Sequence, residues 1–378
     1  MSGLGIGMLG YGVIGKLHTL AYRSIPSYYP SFPRYRLAAV CTRSQASASA
    51  ARTDGGFAKS YSNLNELIKD PEVDVIDCVL PNDAHKEAVL AALRADKSIY
   101  CEKPLALNGS EARELAAVAA KSKGKLGMTF NYRFVPALQR ARKLVESGAI
   151  GEVYRFHAEY LHTGYQDASR PLSWRMRMAA SGGGAIMDLG SHVIDLVRFL
   201  VGEFAEVSAT THTYITSRPV AKGSNEMGPV DVDDAAWLQA TMKNGAIGTL
   251  TVSRFATGSA DDLRILVEGS KGAFRFDLMD ANWLYYFDAT RKSGEAGWVR
   301  LETIQSFEGA SVPPARAILG WDRMHAENQY QFLKAVLEER EPSPGLRDGL
   351  VNNLVMDAAY ASAREHRPVK VQDFPEAV

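Results

Sequence analysis

The chain is 378 residues long, 46% hydrophobic and 23% charged, the make-up of a globular protein with more than one core. Its 43 basic and 43 acidic residues cancel and no basic run stands out, which speaks against nucleic acid or an anionic membrane as a partner. Cys41, Cys78 and Cys101 show no CxxC spacing, glycine interrupts the N-terminus too often for a signal peptide, and no long apolar run occurs; together these predict a reduced, cytoplasmic protein without disulfides or a zinc site.

From residue 4 to about 128, short continuous apolar runs ("LGIGML", "YRLAAVC", "VDVIDCVL", "KSIYCE", "GKLGMTF") alternate with helical patterns such as "NLNELIKD", "AHKEAVLAALRAD" and "GSEARELAAVAAKSK". Strands apolar on both faces with helices between them predict a parallel sheet covered on both sides, so residues 1–128 read as an α/β domain of the Rossmann type. The first run leads into Gly10, Gly12 and Gly15, with Val13 and Ile14 at the variable places of a GxGxxG motif, and then into the helical "KLHTLAY". Glycines there allow a tight turn, close approach of a pyrophosphate and helix-on-strand packing, which predicts a dinucleotide site at the helix N-terminus.

The second run ends in "CTRSQ", where NAD-selective sites usually carry an acid for the ribose hydroxyl. Thr42, Arg43 and Ser44 instead offer a guanidinium and two hydroxyls, which favours NADP over NAD; the alternative is that Arg43 only stacks on the adenine. "KSIYCE" continues into "KPLAL", so Glu102 and Lys103 fall at the carboxyl end of a strand, where open α/β sheets place ligands. Pro104 restricts the Lys103 backbone.

Residues 129–378 read as a second, α+β domain for substrate binding and oligomerisation. "GEVYRFHAEYL", "AEVSATTHTYI", "DAAWLQATMKNGAIGTLTVSRF", "DDLRILVEGSKGAFRFDL" and "NWLYYFD" predict a large, mainly antiparallel open sheet with hairpin turns at Asn244-Gly245 and Lys271-Gly272. Helices are expected over 135–146, through the Asp188 segment, and over 325–339 and 346–364. An open sheet with one apolar face needs covering, which predicts a homodimer or homotetramer through it.

In this half "GGGAIMDLGSHVIDL" carries three glycines into a helix on which Asp188, His192 and Asp195 share one face. Titratable groups on a half-buried helix need partners. Alone, a His-Asp pair at this spacing reads as a surface or capping pair, and no further ligands fall at usable spacing, so no metal is expected. Asp195 reads as a structural helix-face acid, and Asp231, Asp233 and Asp234 as a solvated turn or an interface loop.

Through "GYGVIGKLHTLAY", "VLPNDAHKEAVLAALRADKSIYCEKPLAL", "NYRFVPAL" and "GGGAIMDLGSHVIDL" the chain resembles the Gfo/Idh/MocA family of nicotinamide-dependent sugar and cyclitol oxidoreductases over nearly its whole length. "YLHTGYQDASRPLSWRM" and "GPVDVDD" look most like the levoglucosan dehydrogenase branch. The resemblance implies a catalytic set of Lys103, Asp188 and His192, with Pro81, Asn82 and His85 near an NAD(P) cofactor and Tyr132 and Arg133 near the substrate. The chain departs from the family in lacking the strand-two acid and in having Asp96 rather than glycine before Lys97. In that setting His192 or Lys103 takes the hydroxyl proton of a secondary alcohol as the hydride leaves, and Asp188 holds the substrate or biases the imidazole. His162 and His325 read equally as sugar contacts or structural histidines, and Trp174 and Arg175 as a stacking and hydrogen-bonding pair for a pyranose or as core packing.

The expected activity is hydride transfer between nicotinamide and a secondary hydroxyl of a sugar, anhydrosugar or cyclitol. Two other functions use the same residues or fold: a glycoside hydrolase that oxidises its substrate transiently with bound NAD, and a sensor without catalysis. The sensor would be expected to lack the lysine or the histidine, and both are present.

Overall fold

The computed structural model describes residues 3–303, 307–312 and 319–373. They form two compact units, one of residues 3–131, 307–312 and 319–350, the other of 132–303 and 351–373.

The first unit alternates β1 (Leu4–Leu9), α1 (Val13–Tyr28), β2 (Tyr35–Cys41), α2 (Gln45–Gly55), β3 (Lys59–Tyr61), α3 (Leu64–Lys69), β4 (Val75–Cys78), α4 (His85–Arg94), β5 (Ser98–Cys101), α5 (Gly109–Ala119) and β6 (Leu126–Met128). The strands lie in the order β3-β2-β1-β4-β5-β6, with every pairing parallel. β4 and β5 are buried throughout, which is why they read as continuous apolar runs. β3 escaped the pattern because it is three half-buried residues at the sheet edge.

In the second unit come α6 (Pro136–Glu146), β7 (Val153–Leu161), the single turn α7 (Met178–Ser181), α8 (Ser191–Leu200), β8 (Phe204–His212), a ribbon of β9 (Ser217–Pro219) and β10 (Met227–Pro229), then β11 (Ala235–Met242), β12 (Ile247–Ser253), β13 (Asp262–Gly269), β14 (Gly272–Asp277), β15 (Trp283–Asp288) and β16 (Trp298–Glu302). With β17 (Val369–Lys370) they make a nine-stranded sheet, order β16-β15-β14-β13-β7-β12-β11-β8-β17, antiparallel except for β7 beside β12. α6 and α8 pack on one face. The other face carries Tyr154, Trp237 and Ile247, 57%, 44% and 50% exposed.

A single cut after residue 128 does not describe the chain. α9 (Trp321–Leu337), expected in the second domain, belongs to the first unit. Its Ala326, Tyr330, Phe332 and Leu333 close the core formed by Ile6, Tyr22 and Ile25, and Tyr330 stacks on Tyr29 at 3.6 Å. That apolar stripe would otherwise face water. α10 (Leu346–Glu365) carries the chain back to the second unit.

Candidate active site

In the first unit, β1 ends at Leu9 and the chain turns at Gly10 with φ +96°, a conformation that a side chain rarely adopts. The turn also needs room, since a Cβ on Gly10 would sit 3.1 Å from the Val79 carbonyl oxygen. Gly12 caps the sixteen-residue α1 with no side chain, a Cβ there would meet nothing within 4 Å, and the next residue, Val13, is 81% exposed. An open helix N-terminus with an apolar shelf beside it suits a dinucleotide, whose phosphates would take the free N–H groups.

At the end of β2, Thr42 and Ser44 already have local partners: Ser44 Oγ accepts from Ser47 N at 3.2 Å to cap α2, and the Thr42 and Ser47 hydroxyls lie 2.7 Å apart. Arg43 is exposed. Pro81 is half-buried and Asn82 is buried.

His85, expected at the cofactor, is fully buried, with Nδ1 2.8 Å from the Pro104 carbonyl and Nε2 2.9 Å from that of Leu80. It braces the Lys103–Pro104 segment, and burial pushes its pKa down, towards the neutral ring. Cys78, His85 and Cys101 bring one possible donor atom each within 4.8 Å of one another. Cys78 and burial push the Cys101 thiol pKa up.

The second unit holds a polar cluster around His192, in the first turn of α8. Its ring packs 4.9 Å from Tyr132 and 5.9 Å from Tyr160. The Tyr132 and Tyr160 hydroxyls lie 2.7 Å apart, Tyr160 donates to Asp261 at 2.6 Å, and His162 Nε2 is 2.9 Å from the same Asp261 carboxylate. Because a carboxylate only accepts, Tyr160 gives its proton to Asp261 and takes one from Tyr132, which orients the row. Burial would raise the Asp261 pKa, but His162 and Tyr160 hold it below the usual carboxylate value.

Asp188 sits in a π-helical turn, Ile186–Gly190, that leads into α8. That turn replaces the regular helical spacing assumed from the sequence. Arg254 Nη2 lies 3.0 Å from Asp188 Oδ2, and its guanidinium, 2% exposed, covers the Tyr165 ring at 4.6 Å. Burial disfavours the Arg254 charge; Asp188 outweighs it, and the net shift is upward.

Several expectations shift. Arg133, expected at the substrate, is 6% exposed and forked onto Asp195, Nε to Oδ2 at 2.8 Å. Asp195 is thus the structural acid expected on the helix face, with Arg133 as a buried partner. Asp233 and Asp234, expected in a solvated turn or an interface loop, are 5% and 2% exposed. Asp233 accepts from Gly184 N at 2.8 Å, Ile186 N at 2.9 Å and Tyr360 Oη at 2.6 Å, satisfying donors that would otherwise be orphaned where the glycine run enters its helix. A Cβ on Gly184 would lie 1.8 Å from the Asp233 carbonyl oxygen, so close packing against this aspartate accounts for the glycine.

His325 is 3% exposed in the first unit, 5.5 Å from the His18 ring and 4.9 Å from Trp321, with its pKa driven down to about 3 by burial and by His18. Trp174 and Arg175 stack on each other at 4.3 Å. Sequence reasoning passed over Tyr160, Asp261 and Arg254. Strand parity was the available signal for Arg254, which continues the inward series Gly248, Leu250, Val252 of β12.

A pH dependence follows from His18, buried beside Asp77 and Glu102. Burial lowers its pKa, but the two carboxylates outweigh that and raise it to about 10, while His18 and Lys103 bring Glu102 down to about 2 against its own burial. The His18 share of stability is complete below about pH 6.5 and is lost as pH climbs towards 10. The Glu102 share is lost in the opposite direction, as pH falls towards 2. The melting temperature is expected to drop between neutral pH and about pH 10, and to drop less in His18→Gln, measured by differential scanning fluorimetry across that range.

Comparison with known proteins gives a consistent picture. Residues 4–130 match a family model described as an oxidoreductase family, NAD-binding Rossmann fold, and residues 138–275 match the GFO/IDH/MocA C-terminal domain. Levoglucosan dehydrogenase of Pseudarthrobacter phenanthrenivorans is 34% identical over 98% of this chain and 99% of its own. Inositol 2-dehydrogenase of Rhizobium meliloti is 28% identical over 97% and 98%. A solved structure of levoglucosan dehydrogenase in complex with NADH and levoglucosan superposes with a TM-score of 0.93 at 32% identity, covering 98% of this chain and all of that one (100%).

Proposed function

The chain belongs to the GFO/IDH/MocA oxidoreductase family, and from that premise we propose that it is an NAD(P)-dependent dehydrogenase acting on a secondary hydroxyl of a sugar, with an anhydrosugar of the levoglucosan type as the first substrate to test. The observation that carries the reading is the hydroxyl- and imidazole-lined cluster around His192, next to an Asp188 fixed by Arg254. The nicotinamide, when bound, supplies the hydride acceptor. Lys103 stabilises negative charge developing on the substrate oxygen, and His192 accepts the hydroxyl proton, the exchange an imidazole performs near neutrality. Asp188, ion-paired with Arg254, holds a substrate hydroxyl. Tyr132, Tyr160 and His162 bind further hydroxyls.

The test is a panel of levoglucosan, myo-inositol, pyranoses and pyranosides with NAD and NADP, followed by the absorbance of the reduced nicotinamide. Accumulation of reduced coenzyme with one sugar is the expected outcome. Glycoside cleavage without net reduction would identify the hydrolase instead, and coenzyme binding without turnover on any member would identify a sensor.

NADP is the preferred coenzyme in this reading, because no acid ends β2 and Arg43 stands exposed there. Arg43→Ala is expected to weaken NADP roughly tenfold or more, as for one charge-assisted phosphate contact, and NAD by much less, in parallel fluorescence titrations. Equal losses would mean that the guanidinium only stacks on adenine. No helix among the described residues is long and apolar enough to cross a membrane. Tyr154, Trp237 and Ile247 would be covered by a second copy in a homodimer or homotetramer.

A further inference from the structure

The first unit contains a charged core that coenzyme binding alone does not require. His18 lies on α1 and Asp77 on β4, both fully buried. His18 Nδ1 is 3.0 Å from each Asp77 oxygen, and Nε2 is 3.3 Å from Glu102 Oε1. Gln329 of α9 adds donors to Asp77 Oδ2 and to the His18 carbonyl, both at 3.4 Å. The Tyr100 and His325 rings lie 5.6 and 5.5 Å from the imidazole. Buried ion clusters of this kind are seldom the most stable way to fill a core, because each charge loses its hydration. An apolar trio of similar volume would pack the same helix on the same strands.

What the cluster does reach is the lysine. The second oxygen of Glu102 accepts the backbone N–H of Lys103 at 3.2 Å. One carboxylate thus faces the imidazole at ion-pair distance on one side and on the other accepts from the residue that carries the ammonium group. A swing of the Glu102 side chain would release both contacts. On the far side of Lys103, the Pro104 carbonyl oxygen lies 2.8 Å from His85 Nδ1. The lysine therefore leaves the end of β5 from a backbone fixed at both flanks.

We propose that His18 is a positioning residue for Lys103, acting through Glu102 to fix where the ammonium group leaves the strand. The inference rests on the role given to Lys103 above. It extends the functional residues to a fully buried histidine on the helix that follows the glycine loop. Asp77 and Gln329 complete the device by holding the imidazole from the opposite side.

The test is a double-mutant cycle on the full-length enzyme, using the panel sugar with the highest turnover. His18→Gln and Lys103→Met are made singly and together, and kcat, the KM for sugar, the Kd for NADH and the melting temperature are measured. His18→Gln is expected to lower kcat about 10- to 100-fold, the scale of a misplaced catalytic group. KM and the NADH Kd should stay within about threefold, and in the Lys103→Met background the same substitution should cost less than about twofold more, because the two act as one unit. A lower melting temperature with unchanged kcat per folded molecule would overturn the proposal in favour of packing alone. So would an equal loss of kcat with and without Lys103. Unchanged kcat in Lys103→Met itself would overturn the catalytic reading and this inference with it. If His18→Gln does not fold, Glu102→Gln runs the same cycle, since it leaves the His18–Asp77 pair in place.

Discussion

Replacing His192 by alanine is expected to lower turnover per folded molecule by about 10² to 10⁴, the usual contribution of a positioned acid-base group. Coenzyme affinity should stay near its original value, because the substitution leaves the glycine loop and α1 unchanged. Asp188→Asn should also impair turnover. It keeps the shape of the side chain but removes the negative charge 3.0 Å from a guanidinium that is 2% exposed. Since both groups would act on the same substrate, the double variant should be little worse than the worse single one. Melting curves recorded in parallel separate this from simple loss of structure. A folded, coenzyme-binding His192→Ala protein with undiminished turnover would remove the histidine from the mechanism and favour the sensor.

Arg133→Met is expected to act on stability rather than on substrate binding. Asp195 is 1% exposed and its carboxylate faces the guanidinium through two hydrogen bonds, so the substitution strands a buried charge. Breaking such a pair from one side costs about 3 to 5 kcal/mol. At roughly 2 to 4 °C per kcal/mol for a unit of this size, the melting temperature should fall by about 6 °C or more, while the KM for sugar stays within about threefold. Arg133→Met with Asp195→Leu should recover most of the loss, because the pair as a whole can be replaced by apolar packing. A large rise in KM at unchanged melting temperature would instead make Arg133 the substrate contact that the family resemblance implies.

These two residues show how far the primary structure could be followed. His192 and Asp188 stood out because a glycine run opened into a helix bearing titratable groups, a pattern carried by neighbouring residues. Arg133 is just as polar and lies in an equally suggestive block, but its partner is on another helix, 62 residues away. His18 carried a signal that went unused. It lies on the buried face of α1 with Gly15, Thr19, Tyr22 and Ile25, so the helical period marks it as an inside charge. The period does not say that Asp77 and Glu102 would be the groups to meet it.

The alternation of strand and helix, the glycine loop after β1 and the hairpins of the second unit could be read directly because each depends on the periodicity or backbone freedom of a few consecutive residues. α9 was placed in the wrong half because its apolar stripe states only that it must be covered, and the surface that covers it, Ile6, Tyr22 and Ile25, comes from the opposite end of the chain. The same holds for the charges. Whether a buried polar group is tolerable depends on the atom that replaces its water. For Asp188 that atom belongs to Arg254, for Asp233 to Gly184, Ile186 and Tyr360, and for His85 to the carbonyls of Leu80 and Pro104. Except for Leu80, each of these partners lies at least 19 residues away, a separation at which local pattern carries no information and only the folded chain brings donor to acceptor.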